Sequence, residues 1–228
     1  MKRIIVKTLI SLGILIALLA IYVTYLFMSS STISKGQPIA QYENPVSALL
    51  VIDIQEGTTG TKSITEGYLQ QAEVFINKVN EVIDWTDSSS MPVVYIYHEN
   101  TNWLLNFATK NVMAEGSEGA KIDSRVKIIS DNTFSKHKMD AFSNPALDEF
   151  LTKNRVDEIF AIGLDAAYCL NKTVFAAKNR NYKVSLIADA IISETDSKKN
   201  KMLEKFKAGG INIIQSDELI FPETDNIQ

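Results

Sequence analysis

"VDEIFAIGLDAAYCLNKTVFAAKNRNYKVSLIAD", residues 156–189, holds a strand, a helix and a second strand in one piece. Residues 156–164 form a strand-like run that becomes apolar from Ile159 and ends before Asp165. "AAYCLNKTVFAAKNRN" reads as a helix and "KVSLIAD" (183–189) as the next strand. Two strands joined through a helix form the crossover that parallel pairing requires.

The same rhythm continues outward. "DSKKNKMLEKFKAGG" reads as a helix with a glycine stop, and "INIIQ" as a strand. Toward the N-terminus, "PALDEFLTKN" (145–154) reads as a helix with Pro145 in its first turn, and "RVKIIS" (125–130) as a strand. "PVVYIYHE" (92–99) is a strand, and "EGYLQQAEVFINKVNEVIDW" (66–85) places Leu69, Ala72, Phe75 or Ile76, Val79 and Ile83 at helical spacing. "VSALLVIDI" (46–54) is continuously apolar, as in a strand covered on both faces. Alternating strands and helices predict a three-layer α/β/α, Rossmann-like domain on a mostly parallel six-stranded sheet. Residues 101–124 lose periodicity, apart from a short helix at "NWLLNFATK", and are expected to cover a site.

The first residues are of another kind. "LISLGILIALLAIYVTYLFM" (9–28) carries no charge and is long enough to cross a bilayer of about 30 Å. Lys2, Arg3 and Lys7 precede it and only Lys35 follows closely, which puts the N-terminus in the cytoplasm and the domain outside. A cleaved secretory signal is the rival reading, but "MSSSTISKG" offers no A-x-A-like site. The expected organisation is an anchor over 1–28, a polar linker over 29–45 and a domain over 46–228. The whole chain carries −4; residues 1–35 hold four basic residues and no acid, leaving −8 for the remainder. Such a domain has no electrostatic footprint for nucleic acid.

Ligands of open α/β sheets bind at the carboxyl ends of the strands, and three residues there could carry chemistry. Asp53 ends the first apolar run, where an acid needs a partner or solvent. Cys169, the single cysteine, falls in the first turn of a helix, whose N–H groups and dipole favour a thiolate. Packing as a small hydrophobe is its other reading. Lys136, beyond the third strand, would stabilise a thiolate if it met the other two, while Asp53 would take the thiol proton. His98, Trp103 and Phe107 are candidate pocket walls, or else surface and packing residues.

"ALLVIDIQ" (48–55), "KHKMDAF" (136–142) and "IGLDAAYCLNKTVFAAKNRNYKVSLIADA" (162–190), in that order and spacing, resemble the isochorismatase-like cysteine hydrolases. The resemblance implies a catalytic triad of Asp53, Lys136 and Cys169 acting on a small amide-type or carbamoyl-type substrate through a thioester. It implies a non-proline cis peptide at Leu164–Asp165, aiming the N–H groups of Asp165 and Cys169 at one oxyanion. Gln55 would order the site or border the pocket, with Tyr168 beside the nucleophile. The resemblance also implies a homo-oligomer, because pockets in this family are often completed by a neighbouring subunit.

A cysteine nucleophile favours C–N cleavage over the vinyl-ether chemistry of isochorismatases proper. Nicotinamidases carry a metal-binding Asp and His cluster, whereas this chain has only His98 and His137, too far apart for that spacing. No metal and no other cofactor is expected. Three positions depart from the family: Asp140 stands where serine is common, Ala167 where an acid is frequent, and Asp165 where a small apolar residue is usual. Asp165 either faces a cationic or hydrogen-bond-donating substrate or caps the helix beginning near Ala167. A catalytically inactive, membrane-anchored binding or scaffold domain is the alternative function; a thiol redox protein would lack a resolving cysteine.

Overall fold

The computed structural model describes residues 1–220. Six strands, β1 (Val46–Ile52), β2 (Val93–His98), β3 (Thr133–Lys136), β4 (Val156–Gly163), β5 (Lys183–Ile191) and β6 (Asn212–Ile214), form one sheet in the order β3-β2-β1-β4-β5-β6. All five pairings are parallel. The helices are α1 (Lys2–Ser30), α2 (Glu66–Leu69), α3 (Ala72–Ser88), α4 (Trp103–Ala108), α5 (Pro145–Lys153), α6 (Cys169–Asn179), α7 (Asp196–Ala208) and α8 (Ser216–Ile220).

β1 is central, and Ala48 to Ile52 are at most 2% exposed. Its alternate side chains feed two cores. Leu50 and Ile52 join the layer under α5, α6 and α7; Leu49 and Val51 join the layer under α3 and α8. Each such aliphatic side chain contributes about 1.5–3 kcal/mol by leaving water, so the middle of the sheet is rigid. The chain adds β2 and β3 on one side of β1 and then crosses to add β4 on the other. The direction of winding therefore switches between β1 and β4, which opens a crevice at their carboxyl ends.

Three sequence expectations need correction. The third strand is Thr133–Lys136, not 125–130: Ile128 and Ile129 are 51% and 38% exposed, and their segment is held by Tyr95 Oη and Ser130 rather than by a ladder. Pairing with Tyr95–His98 decided the edge strand over β-propensity. The helix expected over 66–85 is broken at Gln70 and Gln71. Gly67 packs directly against the Glu194 carbonyl, and Gln71 Nε2 donates to Gly67 O and Ser193 O, so α2 is turned toward the β5–α7 loop. The helix after β4 begins at Cys169 rather than near Ala167.

α1 is long and apolar enough to cross a membrane, with an 18-residue stretch of mean hydropathy 2.7. Part of the expected linker is seated on the domain. Ser34 N–H donates to Asp140 Oδ2 (2.7 Å), Arg180 Nη1 donates to Ser34 Oγ (2.9 Å), and Ile39 N–H donates to Arg180 O. Ile33 and Ile39 pack on the core. Asp140, fully buried, thus holds this segment and the N–H of Phe142. Residues 221–228 of the expected domain lie outside the described residues.

Candidate active site at the switch of the sheet

Asp53 follows β1 with a φ of 56°, a left-handed turn uncommon for a residue other than glycine. Its N–H is held by Ile96 O, and Thr58 Oγ1 donates to its carbonyl oxygen. The turn points the carboxylate into the crevice instead of continuing the strand. Lys136, the last residue of β3, is paired in register with His98. Its side chain is wholly buried, and Nζ donates to Asp53 Oδ2 (2.8 Å) and to Lys138 O (3.2 Å).

Cys169 opens α6 and is half-buried. Its thiol interacts with both the Asp53 carboxylate and the Lys136 ammonium. Asp53 Oδ1 is buried and has no hydrogen-bond partner among the described residues. Three residues from three strand ends thus meet in the crevice.

The charges in this cluster compete. Burial pushes the Cys169 thiol up, the Asp53 carboxylate pushes it further, and Lys136 opposes them without prevailing. The resting state is a neutral thiol beside a Lys–Asp ion pair, not the preformed thiolate that a helix N-terminus alone would favour. Burial works against the Lys136 charge, but Asp53 and Cys169 together outweigh it and hold its pKa above the ordinary lysine value. Such a buried pair is costly to break, because either partner alone would be an uncompensated charge. Burial, followed by the Lys136 charge, pulls His98 down. Its Nε2 meets Asn100 Oδ1 at 2.8 Å, while Nδ1 is buried without a partner.

The loop before Cys169 contains a cis peptide at Leu164–Asp165. The Asp165 carbonyl accepts from Tyr168 N–H and Leu170 N–H. The N–H groups of Asp165 and Cys169 donate to no other protein group among the described residues. Gly163, with φ of 118°, lies so close to Ile52 that a methyl group would run into the Ile52 carbonyl oxygen. That close approach sets the Cys169 loop against the end of β1.

The Asp165 side chain is turned into the protein. It is 5% exposed and takes four donors: Tyr68 Oη (2.9 Å), Ser193 Oγ (2.8 Å to each oxygen), Glu194 N–H (3.0 Å) and Ala167 N–H (2.6 Å). The last of these is a local cap; the others tie the Cys169 loop to α2 and to the β5–α7 loop. Tyr68 and Ser193 escaped the sequence reading, because Tyr68 lies off the apolar stripe of its helix and Ser193 sits in a turn. The only available signal was Asp165 itself, since an acid in an apolar loop needs partners.

Gln55 is fully buried. Its Nε2 donates to His98 O and Ala120 O, and its Oε1 accepts from His98 N–H, so it staples the ends of β1 and β2 together. Trp103 and Phe107, expected as pocket walls or as packing residues, stand on the surface, 72% and 79% exposed. Tyr168, 40% exposed, flanks Cys169 at the mouth of the crevice. A cavity of about 320 Å³ lies instead between Tyr97, Glu99, Ser117 and Lys121, beside the triad rather than on it. Among the described residues no three His, Cys, Asp or Glu side chains gather as metal ligands.

The Isochorismatase domain family matches residues 47–218, and the chain belongs to that family. An isochorismatase family protein from Desulfovibrio vulgaris superposes with a TM-score of 0.69 at 20% identity, covering 77% of this chain and 97% of that one. N-carbamoylsarcosine amidase from Thermoplasma acidophilum superposes with a TM-score of 0.63 at 25% identity, covering 76% and 98%. Nicotinamidase from Saccharomyces cerevisiae is 29% identical over 80 residues, which are 34% of this chain and only 37% of that enzyme.

Proposed function

We propose that this member of the isochorismatase family is a cysteine amidohydrolase that cleaves a C–N bond of a small amide or carbamoyl compound. The observation that carries the reading is the meeting of Cys169, Asp53 and Lys136, with Asp53 Oδ2 engaged by the lysine and Oδ1 buried without a partner. The names of the similar enzymes, N-carbamoylsarcosine amidase and nicotinamidase, support the same bond type.

In this reading Asp53 takes the proton of Cys169 as the sulfur attacks the carbonyl carbon, so no standing thiolate is needed. The carbonyl π electrons move to oxygen, and the tetrahedral oxyanion is stabilised by the free N–H groups of Asp165 and Cys169, with Lys136 nearby. Collapse breaks the C–N bond, and the departing amine takes its proton from Asp53. Water then attacks the thioester and gives a proton to Asp53. The second collapse expels the thiolate, which recovers that proton, and a carboxylic or carbamic acid leaves. His98, held neutral, borders the lysine without taking part in proton transfer.

We also propose that α1 anchors the domain, which spans the residues from about 46 onward, to a membrane with the N-terminus cytoplasmic. Lys2, Arg3 and Lys7 on one side of the apolar stretch support that orientation. The test of the catalytic reading is a panel of small amides, ureas and carbamoyl compounds, followed by ammonia or amine release from the full chain. Quenched mass spectrometry should find an acyl adduct on Cys169, and Cys169→Ala should lose turnover and adduct together. Turnover that survives Cys169→Ala would sink the mechanism.

A further inference from the structure

The segment from Asn100 to Ala114 leaves the carboxyl end of β2 and carries one charged residue, Lys110. Its short helix α4 is turned inside out. Asn102 Oδ1 accepts from Leu104 N–H and Leu105 N–H, and Asn106 Nδ2 donates to Asn100 O, so polar side chains serve the backbone while Trp103 and Phe107 point to the outside. These two aromatics, one helical turn apart, form an apolar face that nothing among the described residues covers.

The same helix touches α1. Asn102 Nδ2 donates to Tyr22 Oη (3.3 Å), and Tyr25, Phe27 and Met28 stand exposed on this part of α1. The level of α4 relative to a bilayer therefore follows from the level of Tyr22. If Met28 marks the outer boundary, Tyr22 lies six residues or about 9 Å beneath it. If Tyr22 itself marks the boundary, the nineteen residues inward to Arg3 span about 28 Å, close to the hydrocarbon thickness of about 30 Å. In both registers α4 is held at or just below the interface, the depth of about 5–10 Å that surface helices occupy.

We propose that α4 is a membrane-interface element: Trp103 and Phe107 insert into the outer leaflet beside α1, and the carboxyl ends of the strands face the lipid surface. The inference rests on the reading of α1 as a span. Trp is a favoured interfacial side chain, and the lack of a basic cluster in this segment makes the partner the apolar boundary of the leaflet rather than an anionic headgroup. The excursion links that surface to the site, since it leaves β2 directly after His98 and returns through Ile122, which bridges to Gln55.

The test uses the full chain with Trp85→Phe, so that Trp103 is the only tryptophan, reconstituted into phosphatidylcholine vesicles. Alkaline carbonate extraction reads α1, and quenching by lipids brominated high in the acyl chain reads Trp103. Retention of the chain with blue-shifted, quenched Trp103 emission supports the proposal. A retained chain whose Trp103 is unshifted and unquenched overturns it while leaving the span intact. A chain that carbonate extracts overturns the span reading and the inference with it. A blue shift without quenching that grows with protein-to-lipid ratio assigns the face to a second copy of the chain, and also overturns it.

Discussion

Asp53→Asn should make Cys169 more reactive toward iodoacetamide while abolishing hydrolysis. The resting thiol is held protonated by burial and, next, by the Asp53 charge, with Lys136 pulling the other way. Asparagine keeps the shape, removes the like charge and leaves the ammonium unopposed beside the sulfur. A neighbouring charge is worth about 1–3 pKa units; because Lys136 already neutralises part of it, a fall of about 1–2 units is the reasonable share. At pH 8 the thiolate fraction then rises about tenfold per unit, while the less basic thiolate loses about half of that gain on a logarithmic scale. Alkylation should therefore run about 3–10-fold faster in Asp53→Asn than in the natural chain. Hydrolysis should fall by at least about 10²-fold, the low end of what a general base contributes. The measurement is pseudo-first-order alkylation of the full chain in detergent, followed by intact mass, with circular dichroism to confirm folding. An Asp53→Asn chain that is folded yet alkylated no faster than the natural one would refute the charge balance drawn here.

Asp165→Asn presents an amide nitrogen to donors that the carboxylate now accepts from Tyr68, Ser193, Glu194 and Ala167. Loss of about 2–4 kcal/mol is expected in urea unfolding, consistent with orphaned buried donors at about 1–3 kcal/mol each; a loss below about 0.5 kcal/mol, the level of an ordinary surface substitution, would mean that the carboxylate is not the hub described. Gly163→Ala, at a φ of 118° and facing the Ile52 carbonyl, should cost more than about 2 kcal/mol and lower the urea midpoint without changing the slope. A midpoint equal to that of the natural chain would refute the close approach of the Cys169 loop to β1.

Much of the fold was legible because its signals are local. The apolar runs at β1, β2, β4 and β5 announce buried strands, and the stripe Ala72, Phe75, Ile76, Val79, Ile83 is buried as its spacing requires, whereas Leu69, at its expected start, is 44% exposed in the separate helix α2. The edge strand was not legible. "RVKIIS" is the better β sequence, yet "TFSK" pairs with β2, because an edge is chosen by the register available on its neighbour. The break between α2 and α3 was hidden for a related reason: the helix pattern is continuous, and Gly67 and Gln71 reveal their role only against Ser193 and Glu194.

For the site, the sequence by itself placed Asp53 at a strand end and Cys169 in the first turn of a helix, because those positions follow from where apolar periodicity stops; Lys136, expected in a connection, is the last residue of β3. The sequence left open what they do to one another. Only the tertiary structure decided that Lys136 reaches Asp53 across 83 residues, that Tyr68 reaches Asp165 across 97, and that Trp103 and Phe107 turn away from the crevice. A charge in a chain has no environment until distant segments supply one. The burial of Cys169, the lysine on Asp53 and the donors that Tyr68, Ser193 and Glu194 bring to Asp165 come from elements far apart in sequence, so protonation and specificity are properties of the packed crevice rather than of any motif within it.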